Sequence, residues 1–271
     1  MKKIIFNSSN PRSGSELLQT ILSQNPTIYS SATSPVLEYQ FGARGNFSLP
    51  EVQSQNQTLM KKAFINVCKG IAQNYYEAIT EKSVVVDKSR GWHYYLEWVE
   101  EWNPNPKILC VVRDLRDIVA SMERIYQNNK FSPEGVDIPL ELKNITLEQR
   151  VQYWLTTPPV GLAMLRLYDL FQRNQNNKVH FIRYEDLCNY PKDIMNRLYK
   201  YIEEPLFEHD FNNIIKTVEE DDTHYGIFGK HSVQKELKKT VENKWKDVLN
   251  EEIAQQIKNA NQWYFDRFKY F

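Results

Sequence analysis

Ile4-Ile5-Phe6 runs through Asn7-Ser8-Ser9 into Asn10-Pro11-Arg12-Ser13-Gly14-Ser15-Glu16, and Leu17-Leu18-Gln19-Thr20-Ile21-Leu22 follows directly. The order is apolar strand, tight turn, amphipathic helix. A helix begins with N–H groups that have no intrahelical partner and that sit at its positive end, so this turn is an anion cradle. Gly14 lets backbone approach the ligand closely, and Arg12 adds a planar, permanently charged fork. Ser13, Ser15 and Glu16 complete the candidate cradle. The chain contains no G-x-x-x-x-G-K-[ST], G-x-G-x-x-G, H-E-x-x-H or G-x-S-x-G string, which removes the motifs of P-loop nucleotidases, dinucleotide enzymes, zinc proteases and serine hydrolases. Without the Lys-Ser/Thr pair the cradle lacks the usual Mg²⁺ ligand, so its ligand should be a phosphate or sulfate held without metal.

A second constellation lies downstream. Lys107-Ile108-Leu109-Cys110-Val111-Val112 is almost wholly apolar, as befits a strand buried on both faces of a parallel sheet. It ends at Arg113-Asp114, and Leu115, Ile118, Val119, Met122 and Tyr126 then mark a helix packed on that sheet. Ligands of open α/β sheets bind beyond the carboxyl ends of the strands, so Arg113 and Ser121 can face the same pocket as the first turn. An Arg with a hydroxyl suits one further phosphate.

Together, Pro11-Arg12-Ser13-Gly14-Ser15 and Val112-Arg113-Asp114 through Ser121 resemble the sulfotransferases that use 3′-phosphoadenosine 5′-phosphosulfate (PAPS). The resemblance implies that the first motif holds the 5′-phosphosulfate and that Arg113 and Ser121 hold the 3′-phosphate. It implies a single α/β domain over 1–271, with a P-loop-NTPase-like parallel sheet flanked by helices. The β-branched strand before Asp87-Lys88-Ser89-Arg90 is similar to the segment that brings a Lys to the sulfuryl oxygens, here Lys88. Tyr184-Glu185-Asp186-Leu187 resembles a later signature of the family, with Tyr184 and Glu185 structural or on the adenine side, and Gly229-Lys230 falls in a stretch similar to the C-terminal loop that closes over the nucleotide.

The resemblance leaves the general base open. The cytosolic branch places a His where this chain has Arg90, and the protein-tyrosine branch places a Glu where it has Ala32 or Thr33. A bacterial carbohydrate-sulfating branch uses a Glu in a segment that Pro35-Val36-Leu37-Glu38-Tyr39-Gln40-Phe41 resembles with one extra residue. Glu38 is therefore the first candidate, with His93 second and Asp87 third; Asp87 is expected to pair with Lys88 or a nearby Arg. Arg12 and Lys88 are the candidate stabilisers of the transferring group. The acceptor would be a small molecule or carbohydrate offering a hydroxyl, or an amine.

Lys plus Arg number 34 and Asp plus Glu number 34; this zero balance disfavours nucleic acid or an anionic membrane as partner. The sequence has no apolar window long enough to span a membrane. Three widely spaced cysteines fit free thiols in a reducing cytoplasm, the expected location. The patterning predicts strands at 3–8, 83–88, 107–113 and 178–185. Helices are expected at 15–24, 59–80, 92–101, 115–128, 146–173, 191–203, 209–218 and 247–267, with irregular insertions at 30–58 and 129–145 as acceptor-site walls. The Trp92, Tyr94, Tyr95, Trp98 and Trp102 cluster reads mainly as a buried helix face.

Overall fold

Five short runs form one fully parallel sheet: β1 (Lys3–Asn7), β2 (Ile28–Thr33), β3 (Val84–Lys88), β4 (Lys107–Val112) and β5 (Val179–Arg183), in the order β2-β3-β1-β4-β5. The computed structural model describes residues 1–131, 138–217, 220–221, 224–225, 235–240 and 243–271. Successive side chains of a strand point to opposite faces. Accordingly Ile4, Phe6, Val85, Ile108, Cys110 and Val112 pack on one side of the sheet, and Ile5, Val84, Val86, Leu109 and Val111 on the other. Helix α1 (Ser15–Leu22) covers the second side with Leu18, Ile21 and Leu22. Each such side chain, fully buried, contributes roughly 1.5–3 kcal/mol. From β1 the chain crosses outward over β3 to β2, and from β3 it crosses back over β1 to β4. The turns after β1 and β4 therefore diverge around one crevice, the ligand position of open α/β sheets.

The segment expected to be irregular over 30–58 is ordered. β2 pairs along the length of β3, then come α2 (Val36–Gly45) and α3 (Pro50–Gln53), and α4 (Gln57–Ile79) starts under an Asn56 cap. Its polarity hid it: Ser30 and Ser31 are buried in β2, where the Ser31 hydroxyl accepts from Lys88 N–H at 2.9 Å, and the buried Gln40 of α2 donates to Cys68 O at 2.9 Å. Buried polar groups such as these erase the apolar period that would betray an element.

Other boundaries shift as well. The first helical turn after β3 is replaced by turns up to α5 (Leu96–Trp102). Helix α6 (Leu115–Asn129) follows β4 as expected. Pro158-Pro159 divides the long helix expected over 146–173 into α7 (Leu147–Thr156) and α8 (Val160–Gln172), since proline supplies no N–H and clashes with the preceding turn. Beyond β5 lie α9 (Tyr184–Asn189) and α10 (Pro191–Ile202). The helix expected over 209–218 is not formed at 209–217; there Ile214 N–H bonds Lys235 O and Leu237 N–H bonds Phe211 O. The last expected helix is split at Asn261 into α11 (Glu251–Ala260) and α12 (Gln262–Phe268). From α12 the Tyr264 hydroxyl donates to Arg113 O at 2.8 Å, so the chain's end braces the carboxyl end of β4. Cys68, Cys110 and Cys188 are free and buried, and no described helix is long and apolar enough to cross a membrane.

Candidate active site

The turn after β1 is shaped by two residues in the left-handed region, Arg12 (φ 56°) and Gly14 (φ 95°). At Gly14 a side chain is excluded twice: the backbone is strained for any L-residue, and a Cβ would stand 2.4 Å from Tyr184 Cδ2. The Ser13 hydroxyl donates to Asn10 O at 2.6 Å and is buried, so it fixes the turn.

The two anion motifs meet. Arg12 Nε donates to Ser121 Oγ at 3.2 Å, and Arg113 Nη1 donates to Arg12 O at 3.3 Å. The Arg113 guanidinium lies over the Tyr184 ring, 4.6 Å from its centroid, and pairs with Asp117 at 3.3 Å. Burial pushes the Tyr184 hydroxyl up to about 12, so the ring is a neutral platform. These side chains, with Ser15 and the chain at 236–240, line a cavity of about 400 Å³. That volume lies within the ~300–1,000 Å³ typical of sites for drug-sized ligands. Arg12, Ser15, Arg113, Ser121 and Tyr184 are brought together as the sequence predicts; Gly229 and Lys230 lie outside the described residues.

Glu16 lines the same cavity. Its N–H belongs to the first turn of α1, but its carboxylate turns to Lys88 Nζ at 2.7 Å and Lys216 Nζ at 3.3 Å. A carboxylate repels phosphate, so only the Glu16 backbone can serve the cradle. Lys88 also lies 3.7 Å from Glu220, which accepts from Thr33 N–H at 3.1 Å and from the Tyr225 hydroxyl at 2.9 Å. Burial raises the Glu220 carboxyl, but Lys88, Thr33 and Tyr225 outweigh it and hold the group below its ordinary range.

Asp87 does not pair with Lys88 or an Arg. It is fully buried and accepts from Ser34 Oγ at 2.8 Å, Tyr76 OH at 2.7 Å and Trp92 Nε1 at 2.7 Å. Burial raises its carboxyl despite these three donors. Asp87 therefore ties β3, α4 and the approaches to α2 and α5 to one point. His93 is buried too, and its Nδ1 meets the Ser8 hydroxyl at 2.7 Å. Loss of solvent lowers it to about 4, and it lines neither of the two cavities at the sheet's carboxyl edge.

The second of those cavities, about 220 Å³, adjoins the first through Ser15, which lines both. Glu38 of α2, Lys88, Arg90 and Arg166 of α8 supply its charges, with Leu37 and Leu162 among its apolar walls. Glu38 is exposed on the first turn of α2. No described residue of 129–145 lines this pocket. Trp92 and Trp102 are core residues packed on Phe6; Trp102 ends α5, whereas Trp92 lies in the turns before it rather than on a helix face.

The profile of the family described as "Sulfotransferase domain" matches residues 3–269, nearly the whole chain. The chain belongs to the sulfotransferase family. Among solved structures, this sulfotransferase is similar to the sulfotransferase domain from the curacin biosynthetic pathway: TM-score 0.57, 18% identity, 96% of this chain and 97% of that one covered. It is likewise similar to the sulfotransferase domain of a Synechococcus olefin synthase, with TM-score 0.54, 17% identity and 95% and 96% coverage. A mouse sulfotransferase complexed with PAP gives TM-score 0.54 and 12% identity over 96% and 83%. At these identities the likeness is one of fold. No curated protein matches the sequence.

Arg166, Lys216, Glu220 and Asp117 of the sulfotransferase site were not singled out by sequence reasoning. Asp117 alone carried a local signal, since it stands one helical turn beyond Arg113.

Proposed function

We propose that this sulfotransferase moves the sulfuryl group of PAPS in line onto an acceptor hydroxyl, with Glu38 as general base and no metal. The observation that carries this reading is the joining of the two anion turns into one cavity that shares Ser15 with a pocket lined by Lys88 and Glu38. The mouse sulfotransferase of the same fold is complexed with PAP, the product such a transfer would leave. PAPS supplies the sulfuryl group and a leaving group, adenosine 3′,5′-bisphosphate, that departs with the electron pair of the broken S–O bond.

The chain's own part is positioning and charge. Arg12 and the first N–H groups of α1 hold the 5′ side, and Arg113 with Ser121 holds the 3′-phosphate over the Tyr184 platform. Lys88 stabilises charge on the sulfuryl oxygens; removal of one well-placed donor of this kind costs on the order of 10²–10³ in rate. Glu38 takes the proton of the attacking hydroxyl as the new O–S bond forms. Lys88 lies against Glu16 and Glu220, so it is held in the wall of the second cavity before the nucleotide arrives. The irregular walls expected at the acceptor side reduce to α2 with its preceding turn, facing α8.

Calorimetric titration with adenosine 3′,5′-bisphosphate, ADP and ATP tests the donor site, and turnover of labelled PAPS in EDTA tests the chemistry. Preference for the bisphosphate and turnover without divalent metal are expected. Equal binding of ATP, or activity restored only by Mg²⁺, would point to phosphoryl transfer instead.

A further inference from the structure

The pocket beside the sulfuryl position carries more positive charge than sulfuryl transfer uses. Of its charged lining, Lys88 is already met by Glu16 and Glu220. That leaves Arg90 and Arg166 against Glu38. Glu220 also faces Arg90, but it is engaged by Lys88, Thr33 and Tyr225. Among the described residues, no carboxylate forms an ion pair with either guanidinium; Arg166 instead lies over Tyr94 and Tyr95, at 5.7 and 6.0 Å from their centroids.

Arg90 is an exposed residue that lines the cavity, while protein packs close around its guanidinium. That burial lowers its guanidinium below the ordinary range; Tyr225 and Glu220 oppose the shift and Arg166 adds to it. Two neighbouring guanidinium groups held in a cavity of about 220 Å³ repel one another until an anion lies between them. Leu37, Leu162, Pro158 and Pro159 supply apolar wall but no further anion.

We propose that the acceptor is itself acidic: a small hydroxy compound whose carboxylate or phosphate is gripped by Arg90 and Arg166 while its hydroxyl is presented to Glu38. The proposal rests on the transfer reading above and adds the substrate class. Guanidinium binds carboxylate and phosphate alike through two parallel N–H···O bonds. The anchor also orients the acceptor, because one end is fixed by charge and the other must reach the base. A long neutral sugar chain would leave both guanidinium groups unanswered.

Two matched pairs of acceptors test this: 4-hydroxyphenylacetate against its methyl ester, and glycerol 3-phosphate against glycerol, each with labelled PAPS. Charged hydrogen bonds of this kind are worth roughly tenfold to a hundredfold, so kcat/KM should favour the acid of at least one pair by about tenfold or more. Which pair shows the preference tells carboxylate from phosphate. Arg166→Gln should bring the ratio toward one, and Arg90→Gln, on a separate turn, should do the same if either variant folds poorly. Affinity for adenosine 3′,5′-bisphosphate, measured on the same samples, should remain. Equal kcat/KM within both pairs, transfer to none of the four while the bisphosphate still binds, or a ratio untouched by both variants overturns the proposal. Failure of the wild type to bind the bisphosphate would instead overturn the underlying transfer reading.

Discussion

The donor cavity and the acceptor pocket share Ser15 yet are built in opposite ways. One side of the donor cavity is made of strand-end turns and the helices that follow them: Arg12, Gly14 and Ser15 after β1, Arg113 and then Ser121 of α6 after β4, and Tyr184 after β5, with the chain at 236–240 as the remaining wall. Each turn is contiguous in sequence, and much of its grip is backbone N–H and fixed guanidinium. The acceptor pocket is assembled from α2, the turn at 89–91 and α8, which meet only in the folded chain. Its grip comes from side chains on elements that can vary independently. On the proposed reading, nucleotide recognition is written largely into local motifs, and acceptor recognition into tertiary arrangement.

Glu38→Gln is the sharpest way to break that division. It keeps the shape of the side chain and removes the proton acceptor, so kcat should fall by roughly 10²–10⁴. Isothermal titration should give nearly the same affinity for adenosine 3′,5′-bisphosphate. A collapse of that affinity would make α2 a wall of the donor cavity and erase the distinction.

Acid should loosen the acceptor side through its framework. His93 is lowered to about 4 in the folded protein from an ordinary 6.5. Between those values the unfolded chain binds a proton that the folded chain refuses, so stability falls as pH drops from about 6.5 toward 4 and is flat with respect to this group above 7. The full loss by pH 4 is about 3 kcal/mol. Urea unfolding of wild type and His93→Asn across pH 4–8 measures it; an identical slope in the variant would assign the acid sensitivity elsewhere.

On the donor side, Arg113→Ala should erase the preference for adenosine 3′,5′-bisphosphate over AMP, a loss of roughly 1.5–3 kcal/mol or ten- to hundredfold in affinity. Competition calorimetry reads this directly. Retention of the preference would move the 3′-phosphate off Arg113.

Gly14→Ala should give the smallest effect, a destabilisation of about 1–2 kcal/mol from the left-handed backbone alone, with the contact to Tyr184 adding to it. Chemical denaturation measures the cost, and weaker binding of the bisphosphate should accompany it because Tyr184 must shift beneath Arg113. A variant as stable as the wild type would mean that the turn can relax.

The same asymmetry governs how much was readable in the chain. β1, β3, β4 and β5 announce themselves as apolar runs, and Arg12, Lys88, Arg113 and Ser121 stand at fixed steps from those runs. β2 escaped notice because Ser30 and Ser31 are buried hydroxyls within it. Lys216, Glu220 and Arg166 reach the site from distant segments, and no spacing rule ties a residue of α8 to one of α2. For Glu16 the place in the turn was legible and the side chain's partners were not: a position does not reveal where a carboxylate points when Lys88 and Lys216 compete for it.

Asp87 separates frame from lining in a way that bears on redesign. Its three neutral donors, Ser34, Tyr76 and Trp92, hold the approach to α2 and the turn after β3 in place without touching the surface that faces the acceptor. Leu37, Arg90 and Arg166 can then be exchanged in combination around Glu38, as interchangeable tiles on a tied scaffold. New acceptor preferences are reachable from this chain by altering those tiles while Asp87 and its donors are left alone.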